Sequence, residues 1–85
     1  MLFMTIFRWD PGRTDEVMRK RETEFVPEGL EILNEWTELG ANTVFRLIEV
    51  KEPAALLENS YVWGDLGYIE MHPVMESKEA LKYLG

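Results

Sequence analysis

The chain has no cysteine and a single histidine, His72. The first absence excludes disulfides and thiolate metal sites, and the second excludes the usual multi-histidine metal sites. Basic residues are also scarce: 9 Lys and Arg stand against 16 Asp and Glu, for a formal net charge of −7. Such a chain repels phosphate backbones, so nucleic acid is not expected as a partner. Its one basic run, Arg19-Lys20-Arg21, is flanked by Glu16, Glu22 and Glu24 and reads as a solvated helix face. Also missing is any apolar run approaching the roughly 18 residues of a membrane span. Met1-Leu2-Phe3-Met4 opens without a basic segment, and Arg8 and Asp10 interrupt any signal-peptide core. A cytoplasmic protein without membrane contact is expected.

The 85 residues are expected to form one domain, spanning 1–85. A domain of this size buries only roughly 60% of its unfolded surface, so small domains often need a disulfide, a metal or a partner subunit. With the first two excluded, association is the remaining reinforcement.

What is present is a hairpin pattern. Leu30 to Leu39 and Thr43 to Val50 are rich in β-branched and aromatic residues and are split by Gly40-Ala41-Asn42. Before them, residues 2–9 are apolar on both alternating sets, as in a strand covered on both faces. Asp10-Pro11-Gly12 ends that strand. Thr14 is the expected N-cap of a first helix running to about Phe25, with Val17, Met18, Arg21 and Phe25 as its inner stripe. In the first hairpin strand Leu30, Ile32, Asn34 and Trp36 alternate onto one face. In the second, Val44, Ile48 and Val50 oppose Phe45 and Leu47, with Arg46 as the polar exception. A second helix starts at Glu52-Pro53 and ends near Trp63-Gly64, with Ala54, Leu57 and Tyr61 inward, beside Leu56 and Ser60. Leu66 to His72 are expected to form the last strand, closed by Pro73, and Ser77 to cap a short helix over 78–84 with Ala80, Leu81 and Leu84 on its inner side.

The order is β-α-β-β-α-β with a short C-terminal helix, an α+β pattern. Right-handed crossovers arrange the strands 4-1-3-2, the ferredoxin-like order. The two strands that are apolar on both faces are then the two central ones. Two helices cover only one face of such a sheet. The other face, left in water, would forfeit about 1.5–3 kcal/mol for each large apolar side chain. A homodimer, sheet against sheet about a two-fold axis, is therefore expected.

Trp9-Asp10-Pro11-Gly12 after Phe3 and Phe7, Glu35-Trp36-Thr37-Glu38-Leu39-Gly40, Trp63-Gly64-Asp65-Leu66-Gly67 and Pro73-Val74 together resemble a family of short bacterial and archaeal proteins of unknown function. That family is assigned to the dimeric α/β-barrel superfamily, and the resemblance covers essentially the whole chain. It implies two sheets curling into one eight-stranded barrel with helices outside. The superfamily includes antibiotic-biosynthesis-type monooxygenases, muconolactone isomerase, haem-degrading monooxygenases, stress-induced plant proteins and ligand-sensing regulator domains. The resemblance thus implies a fold and leaves the function open.

Three groups of residues could carry chemistry. His72, Glu70 and Tyr68 share one face of the last strand: Glu70 could orient the imidazole, His72 move a proton and Tyr68 donate to an oxyanion. The plainer alternative leaves His72 in solvent at a strand end. Arg46, if buried, needs Glu70, Glu35 or an anionic ligand as partner, and an internal or interface salt bridge is the plainer option. Trp36, with Asn34 or Arg46 beside it, and Trp9 could line a cavity and stack on a planar ligand, while interface packing is the alternative for all three tryptophans. The five methionines (Met1, Met4, Met18, Met71 and Met75) could form a pliable pocket wall or fill the core.

No Gly-rich phosphate loop, nucleophile elbow or metal cluster is present, and no cofactor is expected. Neither of the two longer helices holds a histidine of the kind by which the superfamily's haem-degrading members bind iron. Two functions follow as expectations. One is a barrel that binds or transforms a small organic molecule without a cofactor, as a monooxygenase or isomerase does. The other is a non-catalytic assembly module whose barrel is plugged by Phe3, Phe7, Trp9 and Trp36.

Overall fold

The computed structural model describes residues 1–40 and 42–85, so the middle of the expected Gly40-Ala41-Asn42 turn lies outside the described residues. The chain runs β1 (Leu2–Arg8), a 3₁₀ turn (Pro11–Arg13), α1 (Thr14–Glu22), β2 (Leu30–Thr37), β3 (Thr43–Val50), α2 (Pro53–Trp63), β4 (Tyr68–Val74) and α3 (Ser77–Leu84). The strands form one antiparallel sheet in the order β2-β3-β1-β4, the order expected from the sequence.

The cross-strand register sorts the side chains into rows, because directly paired residues share a face. On the face carrying α1 and α2 the rows are Leu30-Val50, Ile32-Ile48-Phe3-Pro73, Glu35-Arg46-Thr5-Met71 and Thr37-Val44-Phe7-Ile69. Two apolar clusters sit there. Trp9, Val17, Val44, Trp63 and Leu66 form one, with Phe7, Val62 and Ile69 against it. Leu30, Ile48, Val50 and Ala55 form the other, with Phe3, Ile32 and Leu56. Phe7 lies between two indoles, 5.5 Å from Trp9 and 5.3 Å from Trp63 by ring centroids.

Several local expectations are corrected. The alternation of β2 breaks at a bulge between Ile32 and Asn34, where Leu33 has no partner of its own. One inserted residue reverses the side-chain direction. Leu30 and Ile32 therefore face the helices, while Asn34 and Trp36 face away. Thr14 is the first residue of α1 rather than its cap: its hydroxyl donates to the Pro11 carbonyl (2.9 Å) and accepts from Trp9 Nε1 (3.1 Å). α1 ends at Glu22, leaving Phe25 beyond it and 60% exposed. In α2 the buried stripe is Ala55, Asn59 and Trp63, and Leu57 and Tyr61 point outward. Both stripes have helical spacing, but only one of them carries the large indole into the core. Pro73 lies within β4, which a proline tolerates because β4 is an edge strand. At the entry to β4 the backbone passes so close to β1 that a Cβ on Gly67 would meet the Arg8 carbonyl oxygen at 2.1 Å.

Candidate functional site

The face without helices carries four rows. Glu31-Glu49-Leu2-Val74 lies at one end, followed by Asn34-Leu47-Met4-His72 and Trp36-Phe45-Ile6-Glu70, with Thr43-Arg8-Tyr68 at the other end. The two middle rows have apolar centres (Leu47, Met4, Phe45, Ile6) and polar or amphipathic ends. An apolar centre with a polar rim is the usual anatomy of a protein–protein contact.

Tyr68, Glu70 and His72 share this face because they alternate along β4. The structure adds Arg8, which sequence reasoning missed. It stands opposite Tyr68 in the register, and its guanidinium bonds to Glu70 Oε1. Its signal was the one polar residue ending the Leu2-Met4-Ile6 set, legible only once β1 and β4 are known to pair. His72 Nε2 donates to Glu70 Oε2 at 3.0 Å. The His72 hydrogen bond first, and Arg8 second, hold the Glu70 carboxyl below its ordinary pKa. A neutral imidazole that donates through Nε2 keeps Nδ1 unprotonated and able to accept a hydrogen bond. The arrangement can therefore accept a proton at Nδ1, with Glu70 fixing the tautomer and Arg8 fixing Glu70. The tyrosine hydroxyl is a donor beside them. An open cleft of about 460 Å³ at the Arg8–Tyr68 end is lined also by Asp10, Arg13, Asp65 and Gly67.

Trp36 and Asn34 share the face but stand on β2, at the opposite edge. Three strand spacings separate β2 from β4, about 14 Å. One chain does not bring them to His72.

Arg46 and Trp9 lie on the helix side. The Arg46 side chain is 12% exposed and bonds bidentately to Glu24 (2.6 and 2.7 Å), while its Nε donates to Glu35 Oε2 at 2.6 Å. Arg21 of α1 bonds to the other Glu35 oxygen. Burial opposes the Arg46 charge, but the hydrogen bonds it donates to Glu24 and Glu35 outweigh it and raise its pKa. This clasp ties the end of α1 to β2 and β3, the internal salt bridge that was the plainer expectation. Trp9 is core, its indole N–H satisfied by Thr14.

Beside the clasp is a cavity of about 30 Å³, lined by Thr5, Arg46, Asn59 and Trp63 among others. The Nε1 donor of Trp63, one of its lining residues, is buried with no partner among the described residues. That volume suits about one water and falls far short of the roughly 300 Å³ from which ligand pockets begin. Among the described residues no group of three or more His, Cys, Asp or Glu could hold a metal, and no helix is long and apolar enough to cross a membrane.

No curated protein and no solved structure matches the chain. One family model does, over residues 1–85, and the chain belongs to that family, described as a domain of unknown function (DUF3303).

Proposed function

We propose that two copies pack their uncovered sheet faces together as a dimeric α/β barrel, and that the enclosed space binds or transforms a small organic molecule without a cofactor. The observation that carries this reading is the pair of apolar-centred rows on the face the helices leave bare. A two-fold arrangement with the β2 edge of one copy over the β4 edge of the other brings Trp36 and Asn34 to His72, Glu70 and Tyr68. The aromatic wall and the proton-accepting group, about 14 Å apart in one chain, then meet across the interface. Each dimer holds two such sites. The cleft at Arg8 and Tyr68 gives them a mouth.

The second reading, a self-plugged assembly module, keeps one observation in its favour: Phe45, Leu47, Met4 and Ile6 are bulky and central on the same face. Three of the four expected plugs are engaged elsewhere, however. Phe3, Phe7 and Trp9 pack with the helices, which leaves Trp36 alone.

Native mass spectrometry beside a denatured sample tests the choice. A dimer carrying a small-molecule mass that denaturation releases is the expected result. A clean dimer that gains no mass from a library of small aromatic acids and enols moves the protein to the second reading. A clean monomer overturns both.

A further inference from the structure

The C-terminal helix has no place of its own in this chain. None of the side chains of α3 is buried, and Leu81 and Leu84 are 65% and 81% exposed. The helix is nevertheless amphipathic: Ala80, Leu81 and Leu84 fall on one side, and Lys78, Glu79 and Lys82 on the other. Eight residues are too few for a free helix, since isolated helices shorter than about 12–15 residues are marginal in water. No side chain caps its start, and its one ion pair, Lys82–Glu79, is exposed. A helix this short persists when its apolar side is docked.

The dimensions of the chain point to what it docks on. The radius of gyration is 14.1 Å, against about 12 Å for a compact chain of this length. The surface is 6111 Å², against about 5,200 Å² for a folded monomer of 10.0 kDa. The surplus, about 900 Å², matches the roughly 800 Å² that each partner buries in a standard interface. α3 leaves from Val74, which lies in the end row of the uncovered face, so the arm starts at the border of that face. An apolar helix side and an apolar sheet face on one chain, neither covering the other, are satisfied together by a two-fold pair. An anionic membrane is disfavoured by the net charge of −7.

We propose that α3 is an intersubunit arm whose Ala80, Leu81 and Leu84 side packs on a second copy of this chain and closes one rim of the sheet-to-sheet interface. The proposal rests on the dimer reading above and adds to it the part of the chain that clasps the partner.

The test is the dimer dissociation constant of the full chain, by sedimentation, for wild type and for Leu81→Asp/Leu84→Asp. Both leucines are exposed within one chain, so the double variant keeps its fold, which far-UV circular dichroism checks. Dissociation at least tenfold easier in the variant is expected. Hydrogen exchange supplies a second readout: α3 amides protected in the wild-type dimer should lose protection in a Phe45→Asp variant diluted until it is monomeric. A wild-type dimer with unchanged affinity in the double variant, or α3 amides equally protected in the monomer, overturns the arm and leaves the sheet pairing standing. Retention of the wild type, and not the variant, on phosphatidylcholine vesicles with no change in the dimer would overturn it in favour of a membrane partner. A wild type that is monomeric overturns the dimer reading and the arm with it.

Discussion

The two faces of the sheet are built on exchanged plans. Under the helices, where the two apolar clusters lie, the row Glu35-Arg46-Thr5 brings ionised groups inside. On the bare face, Phe45-Ile6 and Leu47-Met4 hold hydrocarbon outward. The covered charges are acceptable because each has a bonded counter-charge; Arg46 alone reaches both Glu24 and Glu35. The bare hydrocarbon has no such compensation within the chain. A row whose charges are paired is thus consistent with a finished core, whereas an apolar row with nothing over it marks an unfinished one. The difference singles out the bare face, and supports the proposed pairing there, more firmly than exposure alone, since folded proteins expose much apolar area anyway.

The contrast breaks most directly at Arg46. Arg46→Ala leaves the half-buried Glu24 and Glu35 with Arg21 as their remaining cation, and should cost about 3 kcal/mol in urea unfolding. Adding Glu24→Gln should return part of that loss. A cost below about 1 kcal/mol, the level of exposed pairs, would mean that the row is solvated and the contrast false. On the other face, Phe45→Asp should weaken the proposed dimer about 100-fold, near 2.7 kcal/mol, with the far-UV spectrum retained. An unchanged dimer would remove this face from the interface. Smaller still is Thr14→Val, which deprives the Trp9 indole of its acceptor and should cost about 1 kcal/mol by thermal unfolding. A neutral result would show water replacing the hydroxyl, and Trp9 less sealed than its burial indicates.

Much of this contrast could be read from the residues, and its limits have physical causes. β1 and β3 are apolar on both alternating sets, which was enough to make them central and to predict a second cover. The bulge at Leu33-Asn34 was not legible, because each half of β2 alternates normally and only the junction is irregular. Missing it placed Trp36 on the face of Leu30 and Ile32, and hid the alignment of Glu35 with Arg46. The rotation of α2 was hidden for a related reason. Ala54, Leu57 and Tyr61 make as good a helical stripe as Ala55, Asn59 and Trp63, and only the contact of Trp63 with Phe7 decides between them. The grouping of Tyr68, Glu70 and His72 needed only strand alternation. Arg8 needed the pairing of β1 with β4, a long-range fact that no local pattern holds.

The smallest expected effect sits at the rim of the bare face, on Glu70. Its carboxylate accepts from His72 and from Arg8, and both lower its pKa from the ordinary 4.5. In the unfolded chain the group titrates near the ordinary value, so below that pH the unfolded state binds the proton more readily than the folded one. The stabilisation from Glu70 is therefore fully present above about pH 4.5 and is lost as pH falls through the lowered folded value. Glu70 and His72 are about half exposed, at 46% and 55%, so solvent screens the pair and the effect stays small. Wild type and Glu70→Gln should differ slightly in melting temperature at about pH 6–7 and converge once pH falls below the lowered folded value. Carboxyl NMR of Glu70 should give a midpoint below 4.5. A midpoint at or above that value would mean that His72 and Arg8 do not hold the carboxylate in solution, and the tautomer that frees Nδ1 would lose its support. A midpoint that falls further in the dimer than in the Phe45→Asp monomer would instead put this cluster inside the interface, where screening by water is weaker.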